Sequence, residues 1–407
     1  MRLPLLESTS FRSLFCNRAG LFKSAALGVG LLAGTLAPTA IAGKSGTIEM
    51  YQVGLGRGVD PTFSGSTHEL DVRGVMEGFF VQQNQECVGR ISKGQVYRYQ
   101  MPPGSDPHGI AVLNSLRWVL FEGTNSVGEL TYTGRIRRTL PLTPDLSHIP
   151  GVTGAGPHGL TASGTRLWYA GKEGSVFGWI NPKTRAQGSV AAPLVPSGES
   201  MVSAKPIWVA PDGAGGVWGT QLISSKLCRV SVSSSGVTSM QEWTLGDNGI
   251  TDYPIGIVSD GRGGAWFSVE GEPDDATASG YFGHLRSDGK IFTWKTPRPF
   301  ARLGGLAYDG RGTLWTEYTT SLQEAPVACI AQIKVSTLVE AAGTEATLTE
   351  DGYHLNILDP GAALTEIPIE AAAGANHFLH RIQVDRNGKK VWFTDIWGDQ
   401  VGIYYVP

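Results

Sequence analysis

Cysteine is scarce in this chain: there are four among 407 residues, which excludes the disulfide framework of a small cross-linked scaffold. Cys16 lies in the leader described below. Cys87, Cys228 and Cys329 fall in widely separated repeats, too far apart to bridge, so they read as buried free thiols acting as small hydrophobes. Charge is sparse as well. Only 17% of residues are charged and the net charge is −3, so no basic field exists to attract nucleic acid or an anionic membrane. The apolar stretch at 24–36 falls short of the ~20 residues that a bilayer span needs. No Asn-x-Ser/Thr sequon occurs, which points toward a bacterial periplasmic or secreted protein.

What is present begins with a leader. Arg2, Arg12, Arg18 and Lys23 precede the apolar stretch, and Ala40-Ile41-Ala42 supplies a small-x-small cleavage signal. Residues 1–42 are therefore expected to be a signal peptide. Residues 43–407 are expected to form a single exported domain, monomeric and without membrane contact beyond the leader.

Glycine (55) and proline (23) are plentiful, as a chain with many strand-to-strand turns requires. They punctuate a pattern that recurs seven times. Each copy has a short apolar first strand, such as Pro107-His108-Gly109-Ile110 or Tyr253-Pro254-Ile255-Gly256-Ile257. A second strand follows, centred on Phe79-Phe80, Trp118, Trp168, Trp218, Trp266, Trp315 or Trp392. A third is built on apolar-Gly-x-apolar, as in Val127-Gly128-Glu129-Leu130, with Leu227-Cys228-Arg229-Val230 and Ile330-Ala331-Gln332-Ile333 as variants. Spacings of about 40–70 residues are those of propeller blades, four-stranded sheets that cannot bury their faces alone. The fold class is thus all-β, a seven-bladed β-propeller. Alternating outer strands appear at 95–99, 135–140, 240–243, 290–294 and 364–368, but none follows the last copy. The matching piece is Thr47–Val53 near the start, so the N-terminal strand is expected to complete the last blade and close the ring. Inserts at 271–280 and 335–378 read as rim loops able to overhang a central site.

Four of the eight histidines, His68, His108, His158 and His380, stand at the start of first strands in blades one, two, three and seven. These blades are consecutive around a closed ring, so the four converge on one arc of the channel mouth. Each alone is as well explained as a cap on a neighbouring carbonyl; the group points to a site. Blade two adds Asp106 before His108 and Glu122 fourteen positions after it. Two carboxylates beside a histidine make an oxygen-rich site for a hard divalent cation, with the imidazole left for proton transfer. Glu270, Glu317 and Asp395 occupy similar places and read as solvated turn residues.

These repeats resemble the streptogramin B lyase (virginiamycin B lyase) family, which are seven-bladed propellers, over residues from about 47 to the end. The family's active blade carries Glu-Pro-His-Gly, a glutamate fourteen residues later, and a histidine about 42 residues earlier. Asp106-Pro107-His108-Gly109, Glu122 and His68 match it, with Asp for the first Glu and the blade second rather than last. The resemblance implies ring opening of a cyclic depsipeptide by elimination, assisted by Mg2+. It makes His108 the proton-transfer residue, Asp106 and Glu122 metal ligands, and His68 an orienting residue. His158 stands where the family has tyrosine and is a third catalytic candidate.

Two other readings stay open. One is a non-catalytic propeller that binds a peptide, glycan or cell-wall fragment at the same mouth. The other is a gluconolactonase-like hydrolase, which would want a calcium cage that Asn114, Asn125 and Asn181 do not evidently form.

Overall fold

The computed structural model describes residues 45–54, 66–73, 77–245, 252–271, 279–299, 301–320, 327–341, 343–345, 347–349, 352–354, 357–369 and 377–407. The expected leader lies outside them. Seven antiparallel sheets follow one another along the chain, as the repeats predict. Their first strands are Thr67–Arg73, Pro107–Leu113, Pro157–Ser163, Pro206–Pro211, Pro254–Ser259, Ala301–Tyr308 and Leu379–Val384. The last sheet takes its outer strand, Ile48–Gln52, from the start of the chain, pairing it with Gln400–Tyr405. The ring therefore closes as expected. Gln383 clasps the same seam by accepting from Val72 N at 2.9 Å and donating to Leu70 O at 2.6 Å.

The repeated residues account for the packing between blades. Seven buried clusters each straddle two neighbouring blades. Trp118 packs on Leu160 and Tyr169 of blade three, and Trp315 on Leu379 and Phe393 of blade seven. Trp392 crosses the closure onto Leu70 and Phe80, while Phe79 takes the tryptophan's place in blade one. A large flat side chain fills each wedge, and its apolar burial is worth roughly 3 kcal/mol or more per residue. The third-strand glycine has a direct cause. Phe80, Tyr169, Phe267 and Phe393 lie directly opposite Gly89, Gly178, Gly283 and Gly402, and a Cβ there would overlap the ring. In blade four the pair is inverted, Gly219 opposite Cys228, and in blade six Thr316 needs only Ala331. Those are the two variants of the motif. Cys87, Cys228 and Cys329 are buried free thiols.

Two elements differ from the sequence pattern. Blade three has an outer strand, Gln187–Ala191, too polar to stand out, followed by a hairpin of Val195–Ser197 with Ser200–Val202. Within 335–378, Ile357–Leu358 pairs with the outer strand of blade five, Leu364–Ile369 is the outer strand of blade six, and Phe378 lies 6.0 Å from His380 between ring centroids. Residues 272–278 of the other insert lie outside the described residues.

Candidate functional site

One irregularity, repeated in all seven blades, builds the site. Between the first and second strands the register slips, as where Pro107 faces Phe121 but Ile110 faces Val119. The same slip occurs at Thr67/Leu70, Pro157/Leu160, Pro206/Trp208, Pro254/Ile257, Leu303/Leu306 and Leu379/Ile382. Such a bulge re-aims the extra residue. The residue at this position is His68, His108, His158, Ile207, Ile255, Gly304 and His380 in blades one to seven.

The four histidines pack ring against ring. Centroids are 3.7 Å apart for His108–His158, 4.4 Å for His68–His108 and 4.3 Å for His68–His380. All four are buried, with His108 at 0% exposure. Nδ1 of His108 lies 3.1 Å from the carbonyl of His158, and Nδ1 of His158 lies 3.1 Å from that of Ile207. A carbonyl only accepts, so each Nδ1 carries the proton and Nε2 the lone pair. His68 Nδ1 is held by Ser66 Oγ at 2.9 Å. Capping of the next blade's carbonyl is therefore real, but it engages only one nitrogen per ring. Nε2 of His68 and His108, and both ring nitrogens of His380, are buried without a hydrogen-bond partner among the described residues. Burial keeps the rings neutral: His68 is pushed down to about 3, and His108, His158 and His380 lie well below the ordinary imidazole range. Neighbouring rings and the Lys172 ammonium add to the effect at His108.

Lys172 was not legible as a site residue. It directly follows the second strand of blade three, Arg166–Gly171, at the register position that Glu122 holds in blade two: each follows the partner of the first-strand proline. Its Nζ lies 2.7 Å from Glu122 Oε1, with 12% and 14% of the two side chains exposed. Burial raises the Glu122 pKa, and Lys172 pulls it back. Asp106, left-handed at φ 47°, turns the chain into Pro107 and accepts from Glu122 N through its carbonyl at 3.0 Å. Its carboxyl is raised by partial burial, countered by a hydrogen bond from Gln83 and by Lys172.

The structure thus brings His68, His108 and His158 together and sets Asp106, Glu122 and Lys172 beside them. The pattern does not fit magnesium at Asp106 and Glu122. Lys172 already places a positive charge on Glu122. Glu122 Oε2 is the buried oxygen left without a partner, whereas an octahedral ion needs about six oxygen ligands, several of them water. The remaining nearby donors are imidazole nitrogens, which suit other metals.

The expectation of solvated turns at Glu270, Glu317 and Asp395 is overturned: they are 4%, 0% and 0% exposed. Only Glu270 shares the register position of Glu122, and it pairs with Arg302. Asp395 accepts from Phe378 N at 3.0 Å and faces His377 Nδ1 at 2.5 Å. Glu317 accepts from Gly305 N at 2.7 Å, and burial pushes its pKa up to about 8. The residue after each histidine position was also missed. There, Glu69, Trp208 and Arg381 fill the channel axis, where four other blades have glycine. The Arg381 guanidinium stacks 3.7 Å from the Trp208 ring centroid and lies 3.4 Å from Glu69. The same alignment of first strands that exposes the histidines contains this layer.

No family model matches the chain, and no curated protein matches it by sequence. Solved structures do match. Virginiamycin B lyase from Staphylococcus aureus aligns at TM-score 0.62 with 18% identity, over 89% of this chain and 99% of that one. A catalytically inactive histidine-to-alanine variant of that lyase, solved with quinupristin, aligns at 0.61 with 17% identity, over 89% and 100%. Hydrazine synthase from Kuenenia stuttgartiensis aligns at 0.55 with 12% identity, over 84% and 96%. The propeller of the streptogramin B lyases is thus the fold of this chain, a fold shared with proteins of other activities.

Proposed function

We propose that the chain is a carbon–oxygen lyase that opens a cyclic ester or depsipeptide by elimination at the mouth formed by blades seven, one, two and three. The observation that carries this reading is the imidazole of His108. Its Nδ1 proton is committed to the His158 carbonyl, and burial keeps the ring neutral, so Nε2 presents the lone pair that a base needs. His108 removes the proton α to the carbonyl of the residue whose β-carbon bears the ester oxygen. The electron pair becomes the Cα–Cβ double bond, the C–O bond breaks, and the carboxylate leaves. The proton then returns from His108 to solvent or to the product. Lys172, beside Glu122 at 2.7 Å, supplies positive charge where the enolate and the departing carboxylate develop negative charge. His68 and His158 hold the ring of His108 in place from either side. The match of Asp106, His108, Glu122 and His68 to the lyase pattern supports the reading, as does the inactivity of a histidine-to-alanine form of the solved lyase.

The test is mass spectrometry of quinupristin incubated with the purified protein. Elimination yields a linear product of unchanged mass with a new double bond, and His108→Gln should abolish it. A product heavier by one water would instead establish the lactonase-like alternative. A second reading, a non-catalytic propeller binding a peptide or glycan, is favoured by the full burial of His108. Binding without turnover would establish it. Export through the 1–42 leader to the periplasm and a monomeric state belong to the same proposal, and N-terminal sequencing and light scattering check them.

A further inference from the structure

We propose that Nε2 of His68, His108 and His158 hold a transition-metal ion of the zinc class, a site distinct in place and donor type from a magnesium site at Asp106 and Glu122. One ligand atom from each of the three rings lies within 4.8 Å of the others, and all three residues are buried. Three nitrogens on one tetrahedral zinc are about 3.4 Å apart, so modest rotation of the rings closes the set. The outer nitrogens are already anchored. His108 and His158 give Nδ1 to backbone carbonyls and His68 has Ser66 Oγ, the arrangement that fixes the tautomer and aim of metal-binding histidines. Nε2 of His68 and His108 is buried with no hydrogen-bond partner among the described residues, an open lone pair inside the protein. Neutral imidazoles favour zinc, cobalt, nickel or copper over magnesium or calcium.

The groups facing this cluster are Lys172, which disfavours a cation, and Glu122, which neutralises it at 2.7 Å. His380 stands against His68, centroid to centroid at 4.3 Å, with the Arg381 and Arg302 charges beyond it, and Ser66 Oγ holds His68 Nδ1 at 2.9 Å. A metal bound there would commit the His108 lone pair, so the metal-free form is the one in which His108 can serve as the base. Metal binding itself does not rest on the lyase reading.

The experiment uses the full chain, stripped with a chelator and titrated with Zn2+ by calorimetry and with Co2+ by visible absorption. The expected result is a single bound ion, tetrahedral cobalt bands, and no uptake of Mg2+ under the same conditions. His108→Gln and His158→Gln should each weaken Zn2+ binding by more than about 100-fold, whereas Asp106→Asn with Glu122→Gln should leave it within a few-fold. Loss of Zn2+ binding in the carboxylate double variant but not in the histidine variants would overturn the site. So would the absence of Zn2+ uptake and of cobalt bands in the unaltered chain, a result that does not depend on any variant folding. Binding is read without substrate, so a chain that holds zinc but cleaves no ester sinks the lyase reading alone. A chain that eliminates quinupristin yet takes up neither Zn2+ nor Co2+ sinks the metal alone.

Discussion

Acid should weaken this fold through its four packed histidines, and the size of the effect follows from their burial. In the unfolded chain each ring titrates near 6.5. In the fold His68 does so at about 3, and His108, His158 and His380 lie well below the ordinary range. Their folded values are depressed, so the unfolded state binds more protons and stability falls as pH drops below about 6.5. Each ring then loses about 1.4 kcal/mol per pH unit, or about 2 kcal/mol by pH 5. Four rings together lose roughly 7–8 kcal/mol between pH 7 and 5. Buried carboxyls act in the opposite direction. Glu317 at about 8 and Asp252 at about 6 hold protons in the fold and return about 4 kcal/mol over the same interval. Glu69, Glu122 and Asp106 are raised by burial and share that sign. The net loss is therefore at most about 4 kcal/mol, a sizeable part of a domain's typical 5–15. The cleaner measure is a difference. In chelator, urea unfolding of the unaltered chain and of His380→Asn at pH 7 and 5 should show the acid-induced loss smaller by about 2 kcal/mol in the variant. Equal losses in the two proteins would refute the argument that the rings are held neutral by burial.

Glu317→Gln should stabilise the chain at alkaline pH. The folded pKa near 8 lies above the unfolded value of about 4.3, so the penalty grows from pH 4.5 to 8. Urea midpoints should show a gain of about 4–5 kcal/mol at pH 8 and little at pH 4. Lys172→Met strands Glu122 in its mostly buried place and should cost about 2–3 kcal/mol. Adding Glu122→Gln should recover most of that in a double-mutant cycle, and failure to recover would mean the pair is not coupled. Deleting 45–53 removes the strand paired with Gln400–Tyr405 and leaves a bare sheet edge; light scattering should then report association, while a monomer of unchanged stability would contradict ring closure by this strand.

The propeller was legible because its wedges need large flat side chains at a fixed place. Trp118, Trp168, Trp218, Trp266, Trp315 and Trp392 recur in the sequence as they do between the blades. Closure was legible because a missing outer strand had a matching piece at the other end. What escaped were elements whose partners, rather than their composition, define them. Gln187–Ala191 is a strand only because Val176–Ile180 offers it an edge. Lys172 is a site residue only because Glu122 stands at the same register position one blade away. Glu317 and Asp395 look like turn residues until the bulge amide of Gly305 and the amide of Phe378, just before the first strand of blade seven, turn out to need their oxygens.

The bulge itself separates structure from chemistry. In blades four, five and seven, the hydroxyls of Thr220, Ser268 and Thr394 donate to the carbonyls of Ile255, Gly304 and His68 in the next blade, at 3.2, 2.6 and 3.1 Å. His108 and His158 perform the same capping with Nδ1. A serine or threonine completes that task and leaves nothing over. A histidine completes it and leaves a second nitrogen aimed at its neighbours, and an unsatisfied buried polar group costs about 1–3 kcal/mol. Capping therefore explains why a polar side chain stands at the bulge in blades two and three, but not why it is an imidazole. The surplus nitrogens gather on one arc, across blades seven, one, two and three, while Ile207, Ile255 and Gly304 complete the ring without any. A seven-fold scaffold has no structural need for that asymmetry, and the cost is accounted for when a proton or a metal ion uses those nitrogens.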